Sequence, residues 1–145
     1  MWHEPLDRSR VTERPRVVHV QQGEIQSYES WVYVWIELNS RRVIYVGSTN
    51  LNPELRSWLH LHDANPDIGR IIARRPSASE EDFDVLVYSV PHSLSRASVK
   101  KFLIQRFSES EQLSRDYIGE PSGESEVSFD VSDLVEAIIE DFRHL

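Results

Sequence analysis

The chain reads as an α+β protein, a small three-stranded antiparallel sheet flanked by helices with an added C-terminal helix. Three observations predict this. Residues 31–38 and 43–46 are short runs rich in Val, Ile, Tyr and Trp, separated by Asn39-Ser40-Arg41-Arg42, as in an antiparallel hairpin. Residues 83–90 (FDVLVYSV) alternate well enough for a third strand that pairs with the hairpin. Apolar residues at helical spacing fill the stretches after the hairpin and after that third strand, in the order strand, strand, helix, helix, strand, helix.

Taken in order, residues 1–14 are polar, charged and aperiodic, an expected loose arm, and residues 16–21 (RVVHVQ) fit an extra strand. After the hairpin, Gly47-Ser48-Thr49-Asn50 precedes Asn52-Pro53, a cap followed by proline at the first helical position. Leu55, Trp58, Leu59 and His62 recur at helical spacing, with Arg56 and His60 one turn apart on a neighbouring face. Asp63-Ala64 ends this helix. Asn65-Pro66 repeats the cap signature and predicts a second helix with an Ile68, Ile71, Ile72 stripe, stopped before Pro76. Residues 77–82 read as a polar, acidic loop. Ser93 or Ser95 is the expected cap of a third helix, with Val99, Phe102, Leu103 and Phe107 on its buried face. Residues 109–126 are acidic and rich in Ser and Gly, and read as a linker with room for one helical turn at 113–118. Val131, Leu134, Val135, Ile138, Ile139 and Phe142 mark a closing amphipathic helix capped by Asp130 or Ser132. The chain thus divides into an arm (1–29), a central domain (30–108), and an acidic linker with C-terminal helix (109–145).

At 145 residues, 39% hydrophobic and 28% charged, one domain with a real core is expected. No apolar run approaches the roughly 20 residues of a membrane span, and the start of the chain lacks a signal-peptide apolar run. Without cysteine there is neither a disulfide framework nor a thiolate metal site. A cytoplasmic location is the default expectation. The net charge of −8 is uneven: residues 1–75 carry ten Arg and nine Asp/Glu, whereas residues 76–145 carry six Lys/Arg and fifteen Asp/Glu. Overall acidity counts against nucleic acid as partner, because phosphate neutralisation supplies much of that affinity. A local basic cleft remains open to Arg41, Arg42, Arg56, Arg70, Arg74 and Arg75.

The stretch 31–62 resembles the core of the GIY-YIG nuclease family. Trp31-Val32-Tyr33 stands where that family has its first tripeptide and Tyr45-Val46-Gly47 where it has its second, with eleven residues between the tyrosines. Arg56 and His60 match the family's arginine and its frequent accompanying histidine, and the resemblance covers residues 30–108. It implies hydrolysis of nucleic-acid phosphodiesters at a centre of Tyr33, Tyr45, Arg56 and His60, with DNA the foremost substrate. It further implies one divalent ion, Mg²⁺, held by a glutamate on the third helix. There this chain departs: Lys100 stands at the glutamate's position, a protonated lysine cannot coordinate a hard cation, and Trp31 replaces the first glycine. Glu37, Glu54 and Glu109 are the nearest carboxylates in sequence, and none has the family's spacing.

Each of these residues also has an ordinary structural explanation. Two tyrosines on one sheet face can simply be packing, and Arg56 can be a solvated helix residue with a buried stem. His60 can be a helix-surface histidine. Gly47, Ser48, Thr49 and Asn50 can donate to a phosphate from a turn, or can cap the following helix. His60 and His62, two apart on a helix, face different ways and make a poor metal pair. Where the glutamate is missing, either another carboxylate takes over, or Lys100 itself offers positive charge to the substrate, or the site does not cut. Two further functions stand beside the nuclease: a catalytically silent domain binding nucleic acid or protein, and a scaffold whose acidic C-terminal helix docks on a protein partner.

Overall fold

The computed structural model describes residues 17, 19–26, 29–124 and 126–145. The expected arm at 1–14, and residues 16 and 18 of the extra strand, lie outside the described residues. A short hairpin, β1 (His19–Gln21) and β2 (Glu24–Gln26), forms a two-stranded sheet of its own. The central sheet has the order β4-β3-β5, antiparallel throughout, from β3 (Trp31–Glu37), β4 (Arg42–Thr49) and β5 (Phe83–Ser89). The α+β arrangement, three antiparallel strands flanked by helices with a further helix at the C-terminus, is the one predicted.

Strand pairing sets which side chains share a face. Tyr33 lies opposite Gly47 and Tyr45 opposite Trp35, and the register shifts between Trp35 and Ile36. Ile44 is the extra residue of the resulting bulge, so Ile44 and Tyr45 both turn to one face while Val43 and Val46 turn to the other. The first face carries Tyr33, Trp35, Ile44 and Tyr45 under Ile71 and Ala78. The second carries Val32, Val34, Ile36, Val43 and Val46 against the C-terminal half of the chain. Both faces are covered.

Four helices follow: α1 (Pro53–His62), α2 (Arg70–Arg74), α3 (Arg96–Glu109) and α4 (Phe129–Arg143). Asn52 caps α1 as predicted, its side chain accepting from the backbone of Glu54 and Leu55, and Ser95 caps α3. The packing of α1 inverts its hydrophobic pattern. Leu55 and Trp58 are exposed, and His60 is its one buried residue.

The second Asn-Pro does not start a helix. The Asn65 side chain accepts from Asp67 N and its carbonyl from Ile68 and Gly69, closing a turn before a five-residue α2. Ile68 is exposed, leaving Ile71 buried and Ile72 partly buried beside the core. A Cβ on Gly69 would collide with the Asp63 carbonyl, so glycine is required for α2 to fold back over the end of α1. The expected loop at 77–82 begins as a 3-10 helix, Pro76–Glu80.

Within the expected linker, residues 112–118 are tied to the sheet. Gln112 O accepts from Val43 N, Ser114 N donates to Val43 O and Ile118 N to Ile44 O, laying this segment along the open edge of β4 at its bulge. That pairing is invisible in composition because it depends on an edge more than sixty residues away.

The C-terminal helix is capped by Ser128, two to four residues ahead of the expected caps, because its side chain reaches Val131 N. Val131, Val135, Ile138 and Ile139 are buried against α3, with Leu134 and Phe142 packed beside them, and the Phe142 ring meets Phe107 edge-on at 5.1 Å. Arg106 grips Glu136 at 2.6 Å, and Tyr88 on β5 donates to Asp141. The apolar face of α4 is therefore used inside the fold, and its acidic face is the one left outward. Among the described residues no helix is long and apolar enough to cross a membrane. Replacing the fully buried Ile138 by alanine should lower the unfolding free energy by about 2–5 kcal/mol in urea titrations; an unchanged midpoint would show that α4 adds nothing to the core.

Candidate functional site

The structure brings all four predicted centre residues together on the face carrying Tyr33 and Trp35. Tyr33 and Tyr45 project from neighbouring strands with ring centroids 6.2 Å apart and planes inclined at 25°. The Tyr33 ring lies flat over Gly47, where a Cβ would sit 2.5 Å from its Cζ. Gly47 therefore holds open the seat of a tyrosine ring. With Ser48 and Thr49 it lies within β4, paired to Tyr33, Val32 and Trp31, so the expected phosphate-binding turn is strand. Thr49 Oγ1 accepts from Leu51 N. Asn50 is exposed at the edge of a cavity of about 310 Å³ shared with Glu29, Ser30, His92, Leu94 and Arg96.

His60 is 0% exposed and plugs the space above the sheet, its ring set edge-on to Tyr33, Trp35 and Tyr45 at 5.6, 6.0 and 5.0 Å. Its Nε2 is 2.5 Å from the Tyr33 hydroxyl, so the two groups share a hydrogen bond across β3 and α1. Its Nδ1 has no hydrogen-bond partner among the described residues. Burial first, and then the charges of Arg56, Arg70 and Arg74, push the imidazole down to about 3, so it is neutral at physiological pH. Burial, reinforced by Tyr45, pushes the Tyr33 phenol well above its ordinary value, with Arg56 and Arg70 opposing, so Tyr33 keeps its proton.

Two arginines frame the phenols. Arg56, one turn before His60, donates to Ile68 O at 2.9 Å and lies against the Tyr33 hydroxyl. Arg70, placed by the Gly69 turn, donates to Asp67 O at 2.9 Å, and hydrogen bonding to Tyr45 raises its pKa. Arg74 stands behind them on α2, anchored to Ile118 O at 2.7 Å. The other candidates for a basic cleft are spent elsewhere. Arg75 is held by Glu37 at 2.9 Å and Glu81 at 2.6 Å, Arg41 faces Asp84, and Arg42 binds the Glu111 carbonyl. Donors around the phenols outnumber acceptors: two guanidinium groups, two hydroxyls and an imidazole N–H meet a few carbonyls. Such a cluster suits a ligand rich in acceptor oxygens.

Lys100 also reaches this region, through Glu120 on the segment along β4: its Nζ is 2.8 Å from Glu120 Oε1. The Glu120 charge contributes to the raised pKa of Arg70 and, after burial, to that of Tyr117. Tyr117 donates to the Glu120 backbone carbonyl at 2.7 Å. Arg70 is recognisable in sequence only as one of several arginines, while Tyr117 and Glu120 carry no sequence signal because their position depends on the edge pairing of 112–118. None of the carboxylates near in sequence arrives as a ligand for a cation. Glu37 is engaged with Arg75 and Ser40, Glu109 with Arg106, and Glu54 occupies the first turn of α1. Mg²⁺ demands several oxygen ligands, and this donor set, one carboxylate already neutralised by a lysine beside three guanidinium groups, does not fit it. Among the described residues no three His, Asp or Glu side chains gather to hold a metal.

Fold and site together define an α+β domain with a buried tyrosine–histidine centre framed by arginines. Compared with known proteins, the chain matches no family model, no curated protein and no solved structure.

The buried neutral His60 makes stability depend on pH. An unfolded histidine takes up a proton near pH 6.5 and the folded one only near 3, so the stabilisation is complete above 6.5 and is lost as pH falls towards 3. Between pH 6 and 4.5 the unfolding free energy should fall by up to about 1.4 kcal/mol per pH unit in wild type, and His60→Gln should flatten that slope. Urea titrations at stepped pH would measure it; equal slopes would mean that His60 protonates freely in the fold. Gly47→Ala should displace the Tyr33 ring and break its bond to His60, seen as a shift of the Tyr33 ring signals in NMR spectra.

Proposed function

We propose that the chain is a GIY-YIG-like nuclease-family protein that binds a nucleic-acid backbone, DNA foremost, and hydrolyses a phosphodiester at the Tyr33–Tyr45–Arg56–His60 centre without a divalent cation. The observation that carries this reading is the Tyr33–His60 hydrogen bond beneath Arg56 and Arg70. The guanidinium groups offer forks to the non-bridging phosphate oxygens and neutralise charge in the transition state. Water held by Tyr33 passes a proton to the phenol oxygen while the phenol proton moves to His60 Nε2. The hydroxide bonds to phosphorus, the bond to the leaving oxygen breaks, and that oxygen takes its proton from solvent. Free His60 is too weak a base for this, because burial first, and then three arginines, oppose its protonation. A bound phosphate offsets the arginine charges and so raises its basicity.

A second reading has its own observation. Lys100, which the resemblance sets at the position of the family's metal-holding glutamate, pairs with Glu120, and this supports a domain that binds phosphate with no turnover.

Cleavage of labelled single- and double-stranded DNA, in EDTA and in Mg²⁺, separates the two. Hydrolysis in EDTA that falls at least about 100-fold in Tyr33→Phe and is abolished in Arg56→Ala is the expected result. Salt-sensitive DNA binding lost in Arg56→Ala, with no product, would leave the silent reading alone. Cleavage surviving Arg56→Ala would place the active site elsewhere and refute both.

A further inference from the structure

An open cavity of about 540 Å³ lies beside the tyrosine centre, and the phosphodiester reading gives it no role. One wall is the end of α2 with the 3-10 helix after it, and the other is Asp116, Tyr117 and Ile118 of the segment along β4. Ile118 also packs against the cluster that holds Tyr33 and Tyr45, so cavity and centre share a wall. Arg74 Nη1 donates to the Ile118 carbonyl at 2.7 Å and Ile118 N donates to Ile44 O, which fixes the two walls to each other and to the sheet. Pro76, Ile118 and the Tyr117 ring supply apolar surface for a flat ligand. Tyr117 is held by the bond of its hydroxyl to Glu120 O at 2.7 Å, and it lies against Gly119, where a Cβ would sit 2.5 Å from that hydroxyl.

The charges of the cavity are not all spent. Arg75 is neutralised by Glu37 and Glu81. Arg74 and Asp116 come from opposite walls, and among the described residues neither has an ion-pair partner. Arg74 is tied to a backbone carbonyl, and Asp116 sits on a turn closed by its N–H to Ser114 Oγ at 3.1 Å. A guanidinium and a carboxylate held apart on an apolar cavity suit a flat ligand with acceptors on one edge and donors on another.

We propose that this cavity binds a guanine base between Arg74 and Asp116, the base of the nucleotide adjoining the phosphate held at the tyrosine centre. Guanine presents two neighbouring N–H donors to a carboxylate, while its O6 and N7 accept a guanidinium fork. Adenine and cytosine bring one exocyclic amine and uracil one ring N–H, so each leaves part of Asp116 or Arg74 unanswered. The pairing edge of the base faces Asp116, so the base enters unpaired, from a single strand or a locally opened duplex. The link to a strand rests on the phosphodiester reading; the affinity of the cavity for guanine does not.

The test titrates the full chain with the monophosphates of guanosine, adenosine, cytidine and uridine, followed by the NMR signals of Tyr117 and Ile118. The guanosine nucleotide should bind about five- to tenfold more tightly than the others. Asp116→Asn should erase that preference, although loss of a negative charge by itself tightens the binding of every nucleotide. Arg74→Lys keeps the charge but loses the fork, and should weaken the guanosine nucleotide most. Asp133→Asn, at an exposed position on α4, should leave the preference intact. Absence of a guanine preference in wild type, or a preference that survives Asp116→Asn, would overturn the assignment. Single-stranded oligonucleotides with and without guanine separate it from the broader reading. A guanosine nucleotide preferred with no oligonucleotide bound supports the guanine site and refutes a strand as its source. Oligonucleotide binding that needs Arg56 but is blind to guanine and to Asp116→Asn refutes the guanine site and leaves the nucleic-acid reading standing.

Discussion

The hydrogen bond from Tyr33 to His60 ties the sheet to α1, and the arrangement of that half of the protein depends on it. To make the bond, α1 must bury an imidazole on an aromatic surface and leave Leu55 and Trp58 in solvent. A helix normally turns its apolar stripe inward, at roughly 1.5–3 kcal/mol for each large side chain. Here three aromatic rings take up the histidine's carbon edges, and the Tyr33 hydroxyl satisfies one of its nitrogens. The other nitrogen has no partner among the described residues.

The same bond explains the local glycine. Tyr33 reaches His60 only by lying across Gly47, so one strand's ring occupies the space of the other strand's missing side chain. The bulge at Ile44 keeps Tyr45 on the same face as Tyr33 while Val43 and Val46 serve the opposite core. A pleat without the extra residue would put one of these two groups on the wrong side.

Charge is sorted by what each group finds to bind. Arg75 is enclosed by two carboxylates and stacks over Phe83, a structural network with its guanidinium held by Glu37 and Glu81. Arg56 and Arg70 donate to backbone carbonyls beside the phenols instead, with the Glu120 charge acting on Arg70. A chain of net charge −8 can thus hold a local cationic site, because the acidic residues are concentrated in its second half and mostly meet solvent.

The sequence by itself determined the three strands, the cap at Asn52, and the buried faces of α3 and α4. These follow from periodicity and capping, which are local and act within a few residues. Tertiary structure alone decided the inversion of α1, because the attraction of His60 to the sheet aromatics outweighs the stripe that its own residues display. It also turned the second Asn-Pro into a turn, since Gly69 lets the chain approach the Asp63 carbonyl. It alone brought Arg70, Tyr117 and Glu120 to the centre. Each arrives by a contact between distant segments, α2 folded over α1 or residues 112–118 paired to the edge of β4, and no pattern within those segments encodes the surface they meet.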